Sequence, residues 1–365
     1  METLGIAGAG AVTPVALGRT LVGSGPLILD GAAVRPVAIS SANGLRATAH
    51  ALEAIDQDLG TLEAVVGGVN IIEGDPEDRT VGYGGLPNAA GVVQLDSQVH
   101  HGPTRGVGAV AALEGYRHPS RVAMAVMRFT DHVLLVGKGA ERFASEMGFE
   151  REDLLTPESR EEWLRWRAAA SDEDDYLSPD QSGEPVRGFT GPGGEEAGQD
   201  DESAGMFDSH DGVRPMGTIH CSAVDREGNL SAVTTTSGLF FKVPGRVGDS
   251  ALPGCGCYCD NDVGAAGSTG RGEAVIKTAG SFLIVEEMRR GAHPTDACLT
   301  ALRRIVDWTV EHRLLDEDGR PNFNVAYYAV NKRGETGSAA LRPDRQYALH
   351  DGRDNRLVDG AYLFE

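Results

Sequence analysis

Between Asp172 and Asp208 the chain carries 12 Asp or Glu against one Arg, Arg187. A run this acidic, rich in glycine and almost free of apolar periodicity, cannot enter a hydrophobic core. Whatever the chain folds into must be assembled from the parts on either side, roughly 170 residues before it and 150 after it, each near the usual domain size. Composition alone therefore reads as two domains joined by a tether. The same run supplies more than half of a formal charge of −21, from 33 Lys plus Arg against 54 Asp plus Glu. That sign repels phosphate backbones and anionic lipid, which argues against a nucleic-acid or membrane partner. Nowhere are there 18 consecutive apolar residues, and the first residues, Met1 to Gly18, lack the basic start of a secretory signal. Five cysteines, an odd number, fit a reducing compartment, so the expected location is the cytoplasm.

Before the acidic run, Val37–Ser41 and Gly91–Val99 read as strands, and helical patterns occupy 44–57, 61–73, 120–130, 139–147 and 157–170. After it, Thr218–Val224 and Leu230–Ser237 flank the turn Asp225-Arg-Glu-Gly-Asn229, a hairpin. Helices over 272–290 and 294–313 follow, then strands near 324–330 and 335–341 joined at Asn331-Lys-Arg-Gly334. Strands, two helices, then strands point to layered sheets rather than alternating βαβ units.

Several motifs carry little. Gly5-Ile-Ala-Gly8-Ala-Gly10 has the wrong order for a dinucleotide fingerprint, and Gly267-Ser-Thr-Gly-Arg-Gly272 lacks the Lys-Ser/Thr of a phosphate loop. The latter still reads as a helix entrance with free N–H groups for an oxyanion. Cys255, Cys257 and Cys259 would all point one way on a strand, but zinc sites favour wider pairs and a second cluster, so no metal is expected. His210-Asp211 and His220 lie near the interesting region, where a lone His is more often structural. There is no G-x-S-x-G elbow and no H-E-x-x-H.

The chemistry is carried by the hairpin. A turn centred on Glu227 sets Thr218 opposite Thr236 and Val224 opposite Leu230, with opposed Cβ atoms roughly 4.5–5.5 Å apart. A slip of one residue would send the two threonines to opposite faces. Cutting the Gly217–Thr218 bond gives Thr218 a free amine, with a reference pKa of about 7.7–8, that can take its own hydroxyl proton. Gly217 tolerates the strained backbone that attack on the preceding carbonyl requires. In Gly245-Arg-Val-Gly-Asp-Ser250, Arg246 can meet a carboxylate and Asp249 an ammonium, together the zwitterionic end of an amino acid, although a surface ion pair is the plainer reading. Thr269 and Gly270 open the 272–290 helix and offer a hydroxyl and an N–H to an oxyanion.

With the blocks Asp75-Pro-Glu-Asp-Arg-Thr-Val-Gly-Tyr-Gly-Gly-Leu-Pro-Asn88, His118-Pro-Ser-Arg-Val-Ala123, Val136-Gly-Lys-Gly-Ala140 and Gly264-Ala-Ala-Gly-Ser-Thr-Gly-Arg-Gly-Glu273, the chain resembles the N-terminal-nucleophile hydrolases of the asparaginase type. That family contains glycosylasparaginases, isoaspartyl peptidases and plant-type asparaginases. The resemblance implies an α+β fold, a four-layer αββα sandwich, with the acidic linker 171–217 an excursion of one domain. It implies self-cleavage into chains 1–217 and 218–365 paired as (αβ)2, with no cofactor. It makes Thr218 the nucleophile, Thr236 its support, Arg246 and Asp249 the binders of the α-carboxylate and α-amine, and Thr269 and Gly270 the oxyanion and substrate contacts. The implied activity is hydrolysis of a small β-aspartyl amide with release of L-aspartate, the leaving group being N-acetylglucosaminylamine, an amino acid or ammonia. Some relatives hold a structural sodium ion in an N-terminal loop. Glycosylasparaginases usually carry a Trp where this chain has Ser40-Ser-Ala-Asn43, and His-Asp directly before the nucleophile. Here six residues, Gly-Val-Arg-Pro-Met-Gly, separate Asp211 from Thr218, and Gly217 instead resembles the isoaspartyl peptidase branch. The rival from another class is an uncleaved, non-catalytic binding protein whose acidic segment holds cations or a basic partner.

Overall fold

The computed structural model describes residues 35–169, 217–343 and 345–365. The glycines at 5–10, His210, Asp211 and nearly all of the acidic segment lie outside them. Alternation and β-branching build the eight-stranded sheet from β1 (Val37–Ser41), β2 (Gln94–His101), β3 (Gly106–Glu114), β4 (Leu134–Val136), β5 (Ile219–Val224), β6 (Leu230–Thr236), β11 (Gln346–His350) and β12 (Asn355–Asp359). The five-stranded sheet holds β7 (Cys257–Asp260), β8 (Gly264–Gly270), β9 (Val325–Asn331), β10 (Thr336–Ala340) and β13 (Ala361–Tyr362). The larger sheet runs β12-β11-β1-β5-β6-β2-β3-β4 and the smaller β13-β10-β9-β8-β7. Strands from before the acidic segment (β1, β2) thus hydrogen-bond directly to strands from after it (β5, β6, β11). Two independent domains on a tether do not describe this arrangement, because neither flank could complete its sheet alone.

Helices α1 (Leu45–Asp56), α2 (Thr61–Glu73), α3 (Pro119–Phe129) and α4 (Gly137–Glu146) bury their apolar faces with Ala38, Val99, Val110, Ile219, Cys221 and Val233 of the larger sheet. Because side chains alternate across a strand, Val37, Ile39, Val224, Leu230 and Ala232 point the other way and cluster with Cys257, Ala265, Tyr328 and Val330 of the smaller sheet. Helices α6 (Gly272–Thr278), α7 (Gly280–Arg289) and α8 (Pro294–Trp308) form a further cluster with Ala266, Val325, Tyr327 and Ala329. Helix α5 (Pro157–Ala169) lies on the loops near Ala89 and Phe241, through the Trp163 indole donating to the Ala89 carbonyl at 3.3 Å and Trp166 stacked on Phe241.

The expected elements 37–41, 61–73 and the hairpin appear with little change. Other segments differ from expectation. The 272–290 helix is broken, because Ala279 is left-handed (φ 48°) where Gly280 abuts the Tyr327 hydroxyl. The 294–313 helix stops at Trp308, with Thr309 extended. The Gly267–Gly272 stretch, expected as a helix entrance, is strand up to Gly270 and leads into α6 at Gly272. The three close cysteines do not share one face: Cys257 and Cys259 pack between the sheets while Cys255, in the turn before β7, packs toward α6–α8. Among the described residues no group of three or more His, Cys, Asp or Glu could hold a metal ion, and no helix is long and apolar enough to cross a membrane.

Candidate active site

The hairpin register is the one the turn dictates: Ile219 faces Thr235, His220 faces Thr234 and Val224 faces Leu230. Thr218, one residue before β5, is buried and opposes Thr236, with the two hydroxyl oxygens 3.2 Å apart. Thr236 Oγ1 accepts from the Gly238 N–H at 2.9 Å and donates to the Gly217 carbonyl at 2.7 Å. Thr218 Oγ1 lies against that same carbonyl. The Thr218 hydroxyl, the peptide carbonyl before it and a donor on the carbonyl oxygen are therefore within a single hydrogen-bonded group. Among the described residues, a Cβ at Gly217 would meet nothing within 4 Å.

Sequence reasoning missed the ring of groups around this corner. Ser41 Oγ donates to Asn43 Oδ1 at 2.7 Å, accepts the His220 N–H at 3.2 Å and lies 3.4 Å from the Thr218 carbonyl. Asn43 Nδ2 donates to Asp78 at 2.8 Å, and the Thr80 carbonyl accepts the Ser237 N–H at 2.9 Å. The Ser40-Ser-Ala-Asn43 stretch thus anchors the start of β5 beside Thr218. The signal available was the position of two serines at the end of a buried strand, where a hydroxyl needs a partner.

Arg246 and Asp249 converge on Gly272: a Cβ there would sit 2.6 Å from Asp249 Oδ1 and 3.1 Å from Arg246 Nη2. Their loop is held by Gln94, whose side chain accepts the Gly245 N–H at 3.0 Å, and by the buried Asp96, which accepts the Gly248 N–H at 3.1 Å and the Ala112 N–H at 2.8 Å. Arg246 is also ion-paired, through Nε and Nη2, to Glu273 at 2.9 and 2.7 Å. Asp249 accepts from Ser268 Oγ at 2.6 Å. Burial pushes its carboxyl up to about 6, against the lowering effects of Ser268 and Arg246. An incoming ammonium would restore the charge balance that burial disturbs.

Thr269 and Gly270 end β8, and α6 starts two residues later, at Gly272 as expected. Thr269 Oγ1 is hydrogen-bonded to the Tyr328 hydroxyl at 2.9 Å. Gly270 is exposed and left-handed (φ 108°), and a Cβ would overlap the Asn324 carbonyl. Gly267 packs against the His220 ring, so by alternation Thr269 faces the same side, toward the sheet that carries Thr218. Among the described residues, Arg246, Asp249, Thr269 and Gly270 make no direct hydrogen bond with Thr218.

The sequence model described as asparaginase matches residues 31–312. The chain is 37% identical over 369 residues to the N(4)-(β-N-acetylglucosaminyl)-L-asparaginase of Elizabethkingia miricola, covering 100% of this chain and 95% of that one. It is 35% identical over 288 residues to the N(4)-(β-N-acetylglucosaminyl)-L-asparaginase of Mus musculus, 76% of each chain. With the match covering most of its length, this chain belongs to the asparaginase family of amidohydrolases.

Proposed function

We propose that the chain is a self-processed threonine amidohydrolase that cleaves β-aspartyl amides and releases L-aspartate, with N4-(β-N-acetylglucosaminyl)-L-asparagine as the best substrate. One observation carries the reading: the Thr218 hydroxyl lies against the Gly217 carbonyl while Thr236 donates to that carbonyl oxygen at 2.7 Å. In the first, intramolecular reaction Thr218 Oγ1 attacks the Gly217 carbonyl carbon and the C–N bond breaks, leaving an ester and a free Thr218 amine. Thr236 stabilises the oxyanion between these states. Water then hydrolyses the ester to the Gly217 carboxylate and restores the hydroxyl.

In the second reaction the Thr218 amine takes the Oγ1 proton as the oxygen attacks the side-chain carbonyl of the substrate. Asp249 binds the α-ammonium and Arg246 the α-carboxylate, while Thr269 and Gly270 receive the oxyanion. The proton passes to the departing amine, and water releases aspartate from the acyl-enzyme. The relatives' names support the glycosyl leaving group. The three apolar clusters, helices on sheet, sheet on sheet and sheet on helices, support a four-layer αββα sandwich whose two chains are 1–217 and 218–365. We extend the reading to an (αβ)2 assembly and, from five unbridged cysteines, to the cytoplasm.

Aspartate release from glucosaminyl-asparagine, β-aspartyl-leucine and asparagine, measured side by side, tests the leaving group. The expected order puts glucosaminyl-asparagine first. A preference for β-aspartyl-leucine would move the enzyme to the isoaspartyl peptidases, and no turnover of any of the three would remove the proposal.

A further inference from the structure

His220, which the sequence alone treats as an ordinary core residue, sits two positions from the nucleophile on the same face of β5. It is fully buried between the sheets, and both ring nitrogens are engaged. Thr234 Oγ1 donates its proton to the Gly256 carbonyl at 3.0 Å, so at 2.8 Å it must accept from His220 Nδ1–H. That leaves Nε2 as the acceptor of the Ser222 hydroxyl at 2.7 Å. Burial keeps the ring neutral, lowering its pKa to about 3, with His100 adding to the effect. The tautomer is thereby fixed.

The ring touches both halves of the substrate machinery. Through Thr234 it reaches the Gly256 carbonyl, which also accepts the Ser268 N–H at 3.1 Å, and Ser268 Oγ is the group that holds Asp249. On its flat side it lies parallel to Tyr328, with centroids 6.2 Å apart, and the Tyr328 hydroxyl holds Thr269. Gly267 clears the space, since a Cβ there would overlap the imidazole. A ring bonded along its edge and bounded on its faces by the facing sheet acts as a spacer of fixed thickness.

We propose that His220 is a positioning residue that sets the separation between the nucleophile hairpin and the substrate-binding groups on and beside β8, through Thr234 to Asp249 and through Tyr328 to Thr269. The inference rests on the reading of Thr218, Asp249 and Thr269 given above. A displacement of about 1 Å at the reacting centre costs on the order of a hundredfold in rate. His220→Leu keeps approximate volume but breaks both hydrogen bonds, His220→Asn keeps a donor near the Nδ1 position, and Thr234→Val removes the hydroxyl relay while keeping the shape.

The experiment measures kcat and KM for glucosaminyl-asparagine, melting temperature and chain cleavage for wild type and all three variants. The expected result is a loss of about tenfold or more in kcat for His220→Leu and Thr234→Val, with KM raised severalfold and His220→Asn recovering at least half of the lost activity on a logarithmic scale. If His220→Leu does not fold, Thr234→Val gives the same decision. Folded, cleaved His220→Leu or Thr234→Val enzyme with kcat and KM within about twofold of wild type overturns the proposal. A wild type that cleaves itself yet hydrolyses none of the three amides overturns the functional reading instead, and the two failures are told apart by that control.

Discussion

On the strands of the larger sheet that face the site, β5 and β6, the contribution is made by side chains that bond one another: Thr218 with Thr236, and His220 with Thr234. On the facing strand of the smaller sheet, Gly-Ala-Ala-Gly-Ser-Thr-Gly over 264–270, the contribution is largely clearance. Gly267 admits the His220 ring, and two polar side chains, Ser268 and Thr269, hold Asp249 and meet Tyr328. In the proposed reading, one sheet carries the reacting hydroxyl, and the other makes room for the His220 ring and holds the groups that would bind the substrate. A site at the meeting of two sheets needs this asymmetry, since two strands of full-sized side chains would hold the backbones too far apart for both to reach one small molecule.

Substitutions on the two sides should therefore fail differently. Asp249→Ala removes a buried carboxylate expected to meet the substrate ammonium, and should lower kcat/KM by about a thousandfold while leaving self-cleavage intact. Thr236→Val, on the other side, should slow appearance of the two chains by about a hundredfold, read by denaturing gel over time, because the donor to the Gly217 carbonyl is lost. If both variants lost cleavage and turnover equally, the division of labour between the sheets would be wrong. Gly267→Ala should destabilise the fold by about 1–3 kcal/mol in denaturant titration, since a methyl must displace the imidazole. Combining it with His220→Gly should recover much of that stability but not the rate.

Acid pH sharpens the same comparison. Asp249 has a pKa raised to about 6, so its ionised form is disfavoured in the folded chain relative to the unfolded one. The cost of ionisation, about 3 kcal/mol, is fully present above pH 6 and disappears as pH falls toward 4. Asp249→Asn should accordingly be inactive yet more stable than wild type at pH 7.5, with the difference gone near pH 4. In the active enzyme kcat/KM should fall about tenfold per pH unit below 6, because the free enzyme must hold an ionised Asp249 to accept the ammonium. The smallest effect belongs to Tyr328→Phe, which frees the Thr269 hydroxyl and should cost about fivefold in kcat.

The hairpin of β5 and β6 was the most readable part of the larger sheet. Turn chemistry at Asp225–Asn229 fixes which residues of the hairpin oppose, and the observed register follows it from Val224–Leu230 to Ile219–Thr235. The smaller sheet was readable only in part: the strands expected near 324–330 and 335–341 are β9 and β10, whereas β8 has one β-branched residue in seven and no alternation, and a strand made of glycine and alanine is held by its neighbours and gives no signal of its own. β3 escaped for a related reason: buried on both faces, Gly106–Glu114 is a continuous run of small apolar residues without period. Of the candidate site, Thr218, Thr236, Arg246, Asp249, Thr269 and Gly270 were nameable from residue type and spacing. Ser41, Asn43, Ser268 and Tyr328 were not, since their roles depend on which segments the fold brings together across 177 residues between Ser41 and Thr218 and 59 between Thr269 and Tyr328.

The most direct test is the intact mass of freshly folded protein followed in parallel with aspartate release. Wild type should separate into two chains, the second beginning at Thr218, with activity rising in step, whereas Thr218→Ala should remain one inactive chain. Full activity in protein that stays uncut, or scission between residues 217 and 218 in the Thr218→Ala variant, would contradict the account.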